Sequence, residues 1–77
     1  MLSAREVIII DPEILGGTPV FRGTRVAIQT LFDHLETSSL DDFLEGFPSV
    51  SREQAEAVIE WAGKMVQTFA VQYESAA

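Results

Sequence analysis

Gly16-Gly17-Thr18-Pro19-Val20-Phe21-Arg22-Gly23-Thr24-Arg25-Val26 concentrates three glycines, a proline and two of the chain's five basic side chains in eleven positions. Such a density does not build a core. Glycine removes the steric bar to positive φ and proline fixes its own φ, so paired turns around a short Val20-Phe21 segment would hold Arg22 and Arg25 in a defined loop geometry. Gly16, Gly17, Pro19 and Gly23 read as loop-shaping residues. They have no Walker lysine or dinucleotide fingerprint beside them, so a nucleotide cradle is not expected.

Upstream of this stretch, Val7-Ile8-Ile9-Ile10 is a β-branched run closed by Asp11-Pro12, and Pro19 before Val20-Phe21 suits an edge strand. Residues 7–26 therefore read as a β/loop element, a short hairpin or wing. Downstream the period becomes helical: Ile28, Leu31, Phe32 and Leu35 fall at i, i+3, i+4 and i+7, which predicts a helix over 27–36. Thr37-Ser38-Ser39 interrupts it. Ser39 and Asp42 have the form of a capping box, and Leu40, Phe43, Leu44 and Phe47 predict a second helix over 40–47, weakened by Gly46 and stopped by Pro48. Ser51 and Gln54 make another box, with Val50 and Ala55 as a hydrophobic staple, and open a third helix over 52–74. The stripe of this helix is Ala55, Val58, Ile59, Ala62, Val66, Phe69 and Tyr73. Roughly two dozen residues span on the order of 35 Å, more than two short helices cover, so the distal half needs another surface.

The expected fold is mainly α, one domain over 1–77: a three-helix, helix-turn-helix-like unit with an N-terminal β hairpin or wing and a long C-terminal helix. A plain three-helix mini-bundle is the alternative. With 77 residues, 47% hydrophobic and 22% charged, the chain is near the lower size limit for an independent core. Its longest apolar run, Val7–Ile10, is too short for a membrane span, and a secretory signal pattern is lacking, so a cytoplasmic location is expected. The chain has no cysteine and one histidine, so neither a metal site nor a cofactor is expected.

Twelve acidic and five basic side chains give a net charge of −7, which repels nucleic acid from the molecule as a whole. Arg5, Arg22 and Arg25 form a local exception in the first third of the chain, whereas most of the acids lie in residues 33–60. The start of the last helix, where a helix-turn-helix reader would face DNA, offers Arg52, Glu53, Glu56, Ala57 and Glu60. Three carboxylates oppose phosphate contact there, so the turn reads as architecture. Arg22, Arg25 and Arg5 are the candidates for contact with a partner or nucleic acid. Their alternative is structural, bonding loop carbonyls or pairing with Asp11 or Glu13. Asp33 and His34 diverge by about 100° and read as a solvated helix face, and Asp41, Asp42 and Glu45 suit a helix N-terminus. With no serine–histidine–acid constellation, catalysis is not expected. Trp61 clusters with Met65 off the main stripe, and either folds back on Val20 and Phe21 or anchors a partner. Trp61, Met65, Phe69 and Tyr73 are the candidate partner or dimer interface, and a homo-oligomer is expected.

The glycine–arginine stretch, followed by a helix, then Phe47-Pro48-Ser49-Val50-Ser51 and a final helix, resembles the bacterial domain of unknown function family 433 over about residues 7–62. The resemblance implies a compact helix-turn-helix-like domain. It also implies a VapB-like antitoxin of a type II toxin–antitoxin pair, which binds and neutralises a PIN-like ribonuclease toxin and regulates its own operon. Two alternatives stay open: a DNA-binding transcriptional regulator, and a structural dimerisation module without a toxin. The chain departs from the family pattern at Ala27, commonly proline, and at Thr37-Ser38-Ser39, where a glycine is common. The second departure leaves the angle between the first two expected helices open.

Overall fold

The computed structural model describes residues 2–76, and side-chain surroundings for residues 2–72. Its elements are α1 (Ala4–Val7), β1 (Ile8–Ile9), a 3-10 turn (Leu15–Gly17), β2 (Val20–Phe21), α2 (Ile28–Leu35), α3 (Leu40–Gly46) and α4 (Arg52–Ala76). The hairpin, the two short helices and the long last helix stand where the sequence pattern puts them. The difference is α1, one helical turn that makes four helices where three were expected. Its start is a capping arrangement in which the Ser3 backbone N–H donates to Glu6 Oε2 at 3.4 Å. Val7 accordingly ends a helix, and the strand begins one residue later.

β1 and β2 pair antiparallel with Ile8 opposite Phe21 and Ile9 opposite Val20. Val20 also bridges Ala27 on its other side, and Phe21 N–H donates to the Val26 carbonyl at 2.9 Å. Residues 20–21 therefore lie between two neighbours rather than on an edge. Pro19 sits just before the strand, where its missing N–H costs no ladder bond, and its carbonyl accepts from Ile28 N–H at 3.0 Å.

Helix boundaries follow local chemistry. Ser39 Oγ accepts from Asp42 N–H at 3.1 Å, opening α3. At α4 both halves of the box form: Gln54 N–H donates to Ser51 Oγ at 3.0 Å and Ser51 N–H to Gln54 Oε1 at 3.0 Å. Between α2 and α3 the chain turns without a left-handed residue: Glu36 stays in the right-handed region and Ser38 N–H returns to the His34 carbonyl at 2.8 Å. The missing glycine is thus replaced by a tightened last turn of α2.

The core gathers Val7 of α1, Phe21 of β2, Leu31 of α2, Phe43 of α3, Val50 of the loop before α4, and Ala55 and Val58 of α4, all buried. Val50 and Ala55, the expected staple, are both in it. Phe43 is central, its ring centroid 6.3 Å from Phe21, 5.0 Å from Phe47 and 5.7 Å from His34. His34 is half-buried and meets Phe43 and Phe47 edge-on, so only Asp33 of that pair is solvated; Gln29 donates to it at 3.0 Å. α2 turns His34 inward because the Phe43 and Phe47 stripe of α3 passes beneath it.

The long helix sets the shape. At about 1.5 Å per residue its 25 residues reach roughly 38 Å, close to the 42 Å long axis of the molecule. The radius of gyration is 13.9 Å, against about 11.5 Å for a compact 77-residue chain. From Gly63 to Gln72 every residue of α4 is exposed. The stripe that begins at Ala55 and Val58 thus runs off the globule after Ala62.

Candidate functional site

Two separate surfaces carry the candidate residues. The first is the tip of the turn that follows β2. Thr24 N–H donates to the Phe21 carbonyl at 3.0 Å, closing a turn around Arg22 and Gly23, and Gly23 has φ +82. Positive φ at the third position defines a type II turn, which glycine fills without strain. Thr24 locks the loop from within: its hydroxyl donates to the Phe21 carbonyl at 2.8 Å and accepts from Val26 N–H at 3.0 Å. On the other side of β2, Gly16 and Gly17 have φ +63 and +90, and Leu15 shares the left-handed region at φ +48.

Arg22 is held at both ends of its backbone. Its N–H donates to the Val7 carbonyl at 2.7 Å, and its own carbonyl accepts from Gln54 Nε2 at 3.3 Å. Its Nε donates to the Arg5 carbonyl at 2.7 Å, leaving the two terminal amino groups of the guanidinium for other contacts. Arg5, Arg22 and Arg25 are all exposed. The structural alternative thus accounts for one nitrogen of Arg22, with Arg5 rather than an acid as partner. Asp11 instead accepts from Glu13 N–H at 2.9 Å.

Charge pairing separates the five cations into two groups. Arg52 pairs with Asp41 and, at 3.8 Å, with Glu56, while Lys64 pairs with Glu60 at 3.1 Å. The hydrogen bond to Asp41, reinforced by its charge, raises the Arg52 pKa above its ordinary value, so this guanidinium is a fixed charge. Among the described residues, no carboxylate stands within ion-pairing reach of Arg5, Arg22 or Arg25. A chain of net charge −7 therefore presents its uncompensated cations together at one N-terminal corner.

The second surface follows α4. Trp61 is half-buried and shares an apolar groove of about 350 Å³ with Ala4, Ile8, Ile28, Phe32, Val58, Ala62 and Met65. It shares this groove with residues of α1, β1 and α2 and packs against the buried core cluster that contains Phe21. A second recess of about 270 Å³ continues past Ile8, Ile28 and Phe32 to Thr18 and Pro19. Beyond the groove, Met65 is 73% exposed, Val66 66% and Phe69 68%. Tyr73, the last candidate of this group, has a side chain outside the described residues. Sequence reasoning identified the α4 side of this surface and missed Ala4, Ile8, Ile28 and Phe32. The available signal was an apolar stripe on α2 wide enough to serve two neighbours.

Among the described residues, histidine, aspartate and glutamate nowhere gather in threes as a metal-ligand set, and helices long and apolar enough to cross a membrane are absent.

A small, mostly helical domain with an N-terminal hairpin, a rigid arginine-bearing turn and a protruding last helix is the class that this architecture defines. The sequence profile of the family described as "Protein of unknown function (DUF433)" matches residues 8–62, and the chain belongs to that family. A curated relative, the "Uncharacterized protein y4eO" of Sinorhizobium fredii (strain NBRC 101917 / NGR234), is 40% identical over 55 residues. That stretch is 70% of this chain and 25% of the relative, so the chain spans about a quarter of the length of the protein it matches. The crystal structure of a DUF433 member protein from Anabaena variabilis ATCC 29413 is similar with a TM-score of 0.65 at 22% identity, covering 88% of this chain and 68% of that one. This likeness concerns the fold.

Proposed function

We propose that the chain is a binding protein of the antitoxin kind, which docks its arginine corner on the carboxylate-rich active site of a PIN-like ribonuclease and thereby silences it. The observation that carries this reading is a set of three arginines without acidic partners among the described residues: Arg5 on α1, and Arg22 and Arg25 at a turn whose Arg22 backbone is held by the Val7 carbonyl and by Gln54. A guanidinium presents a rigid fork that fits a carboxylate with two parallel hydrogen bonds. Held in place before binding, it loses little conformational entropy on contact. A nuclease that gathers carboxylates around a metal offers the matching charge. The chain acts by occupying that site rather than by catalysis, in the cytoplasm.

A second reading puts the same arginines on the phosphates of an operator. It is weaker, because Glu53, Glu56 and Glu60 line the exposed first turns of α4 and repel a duplex laid along that helix.

Affinity purification of the tagged chain from its native host, at low and high salt, separates the two. The proposal predicts a small PIN-like nuclease retained by the wild type and lost from the double variant Arg22→Glu/Arg25→Glu. Recovery of nucleic acid that washes away with salt, or of the chain alone, refutes it.

A further inference from the structure

The distal half of α4 extends beyond the globule, with every residue from Gly63 to Gln72 exposed. Residues 65–72 carry no charged side chain, although the molecule as a whole has net charge −7. An isolated helical segment of this length, containing Val66, Thr68, Phe69 and Val71, is not self-sustaining in water. Its stability must come from packing of an apolar face.

The molecule carries a complementary surface next to it. Ile8, Ile28, Phe32 and Trp61 wall the groove of about 350 Å³, and Met65 belongs both to the groove and to the protruding stripe. At about 100° per residue, Val58, Ala62, Met65, Val66 and Phe69 share one side of α4, while Glu53, Glu56, Glu60 and Lys64 fall on the other. Groove and stripe thus form one continuous uncharged face from which the acids of α4 are excluded.

The chain's surplus surface is of the size that a protein partner covers. A compact chain of 8.5 kDa exposes about 4,650 Å², whereas this one exposes 5491 Å², an excess of about 840 Å². A stable interface between two proteins buries about 800 Å² on each partner.

From these observations we infer that the occupant is a second copy of this chain, with the two α4 helices crossing antiparallel near Met65. Each helix lays Met65, Val66 and Phe69 over the Ile8, Ile28 and Phe32 wall of its partner. Because stripe and groove adjoin on one face, the contact is self-complementary and closes as a two-fold dimer instead of growing into a filament. The absence of charge on the face is what lets two anionic chains meet there. Arg5, Arg22 and Arg25 do not line the groove, so dimer formation and partner capture can be tested separately.

Sedimentation equilibrium of the purified full chain at micromolar concentration tests the inference. The wild type is expected at about 17 kDa, twice its 8.5 kDa mass, and Met65→Glu and Phe69→Glu at the monomer mass with at least a hundredfold weaker self-association. Both positions are exposed, so the fold of residues 2–62 should survive, as thermal unfolding would verify. Because the chain has no cysteine, Met65→Cys gives a clean second readout. Near the two-fold axis it should cross-link copies on oxidation, whereas Val71→Cys, on the opposite side, should not. A wild type that stays monomeric at 100 µM overturns the inference, as would a dimer that persists in both glutamate variants or equal cross-linking at 65 and 71.

Discussion

Gly23 and Gly46 look interchangeable by their surroundings, yet alanine should act on them with opposite sign. A Cβ built at either position meets nothing within 4 Å, so no steric contact distinguishes them. The backbone does. Gly23 sits at φ +82 in the arginine turn, whereas Gly46 ends α3 outside the positive-φ region. Placing an L-residue in the left-handed region costs about 1–2 kcal/mol, so Gly23→Ala should lower stability by that amount. At about 4–8 °C per kcal/mol for a domain of this size, the midpoint falls by about 4–16 °C. Gly46→Ala removes conformational freedom from the unfolded chain without strain in the folded one, worth about 0.4–1 kcal/mol, and the midpoint rises by about 2–8 °C. Thermal unfolding followed by circular dichroism, with urea titration for the free energy, reads both. Gly23→Asn should recover part of the loss, since asparagine tolerates this region better than alanine. Equal effects of the same sign at 23 and 46 would refute the reasoning, because they would mean that the turn does not impose its φ on residue 23.

Phe43→Ala empties the centre of the core, where the ring is fully buried among Phe21, Phe47 and His34, and should cost about 3–5 kcal/mol in urea unfolding. Ser51→Ala removes the side-chain acceptor of the box at the start of α4 and should cost about 1 kcal/mol. Asp41→Asn weakens the pair with Arg52, and because both side chains are more than half exposed the thermal midpoint should not move measurably. Arg25→Ala should leave the midpoint unchanged as well while weakening partner capture, since this exposed side chain makes no ion pair among the described residues.

What the sequence made legible was local. The Ser51–Gln54 box forms in full and the Ser39–Asp42 pair forms its N-cap half, because each needs only residues three apart, and the helices end where Gly46, Pro48 and the serine turn place their stops. The one-turn α1 is too short for a periodic pattern, and its Ser3–Glu6 signal lies beside a β-branched run that dominates the reading. His34 could not be placed inward from its own helix, because the rings that receive it lie on α3. The candidate surfaces divide in the same way. Surplus length and the Trp61–Met65 cluster pointed to α4, but the groove is assembled from α1, β1, α2 and α4, and only the fold brings Ile8 and Phe32 beside Trp61. The arginines were visible as residues. Their lack of acidic partners is a property of long-range placement, since Asp11 and Glu13, close in sequence, turn elsewhere.

The proposed function places the arginine corner on a nuclease active site. The proposed role is tested most directly by RNA cleavage by a PIN-like nuclease that co-purifies with the chain in the experiment proposed above, titrated with wild type and with Arg22→Glu/Arg25→Glu. The account predicts inhibition that is complete at equimolar wild type and absent with the charge-reversed variant, whose unfolding midpoint stays within a few degrees of the wild type. Undiminished cleavage in excess wild type, or equal inhibition by both proteins, would contradict it.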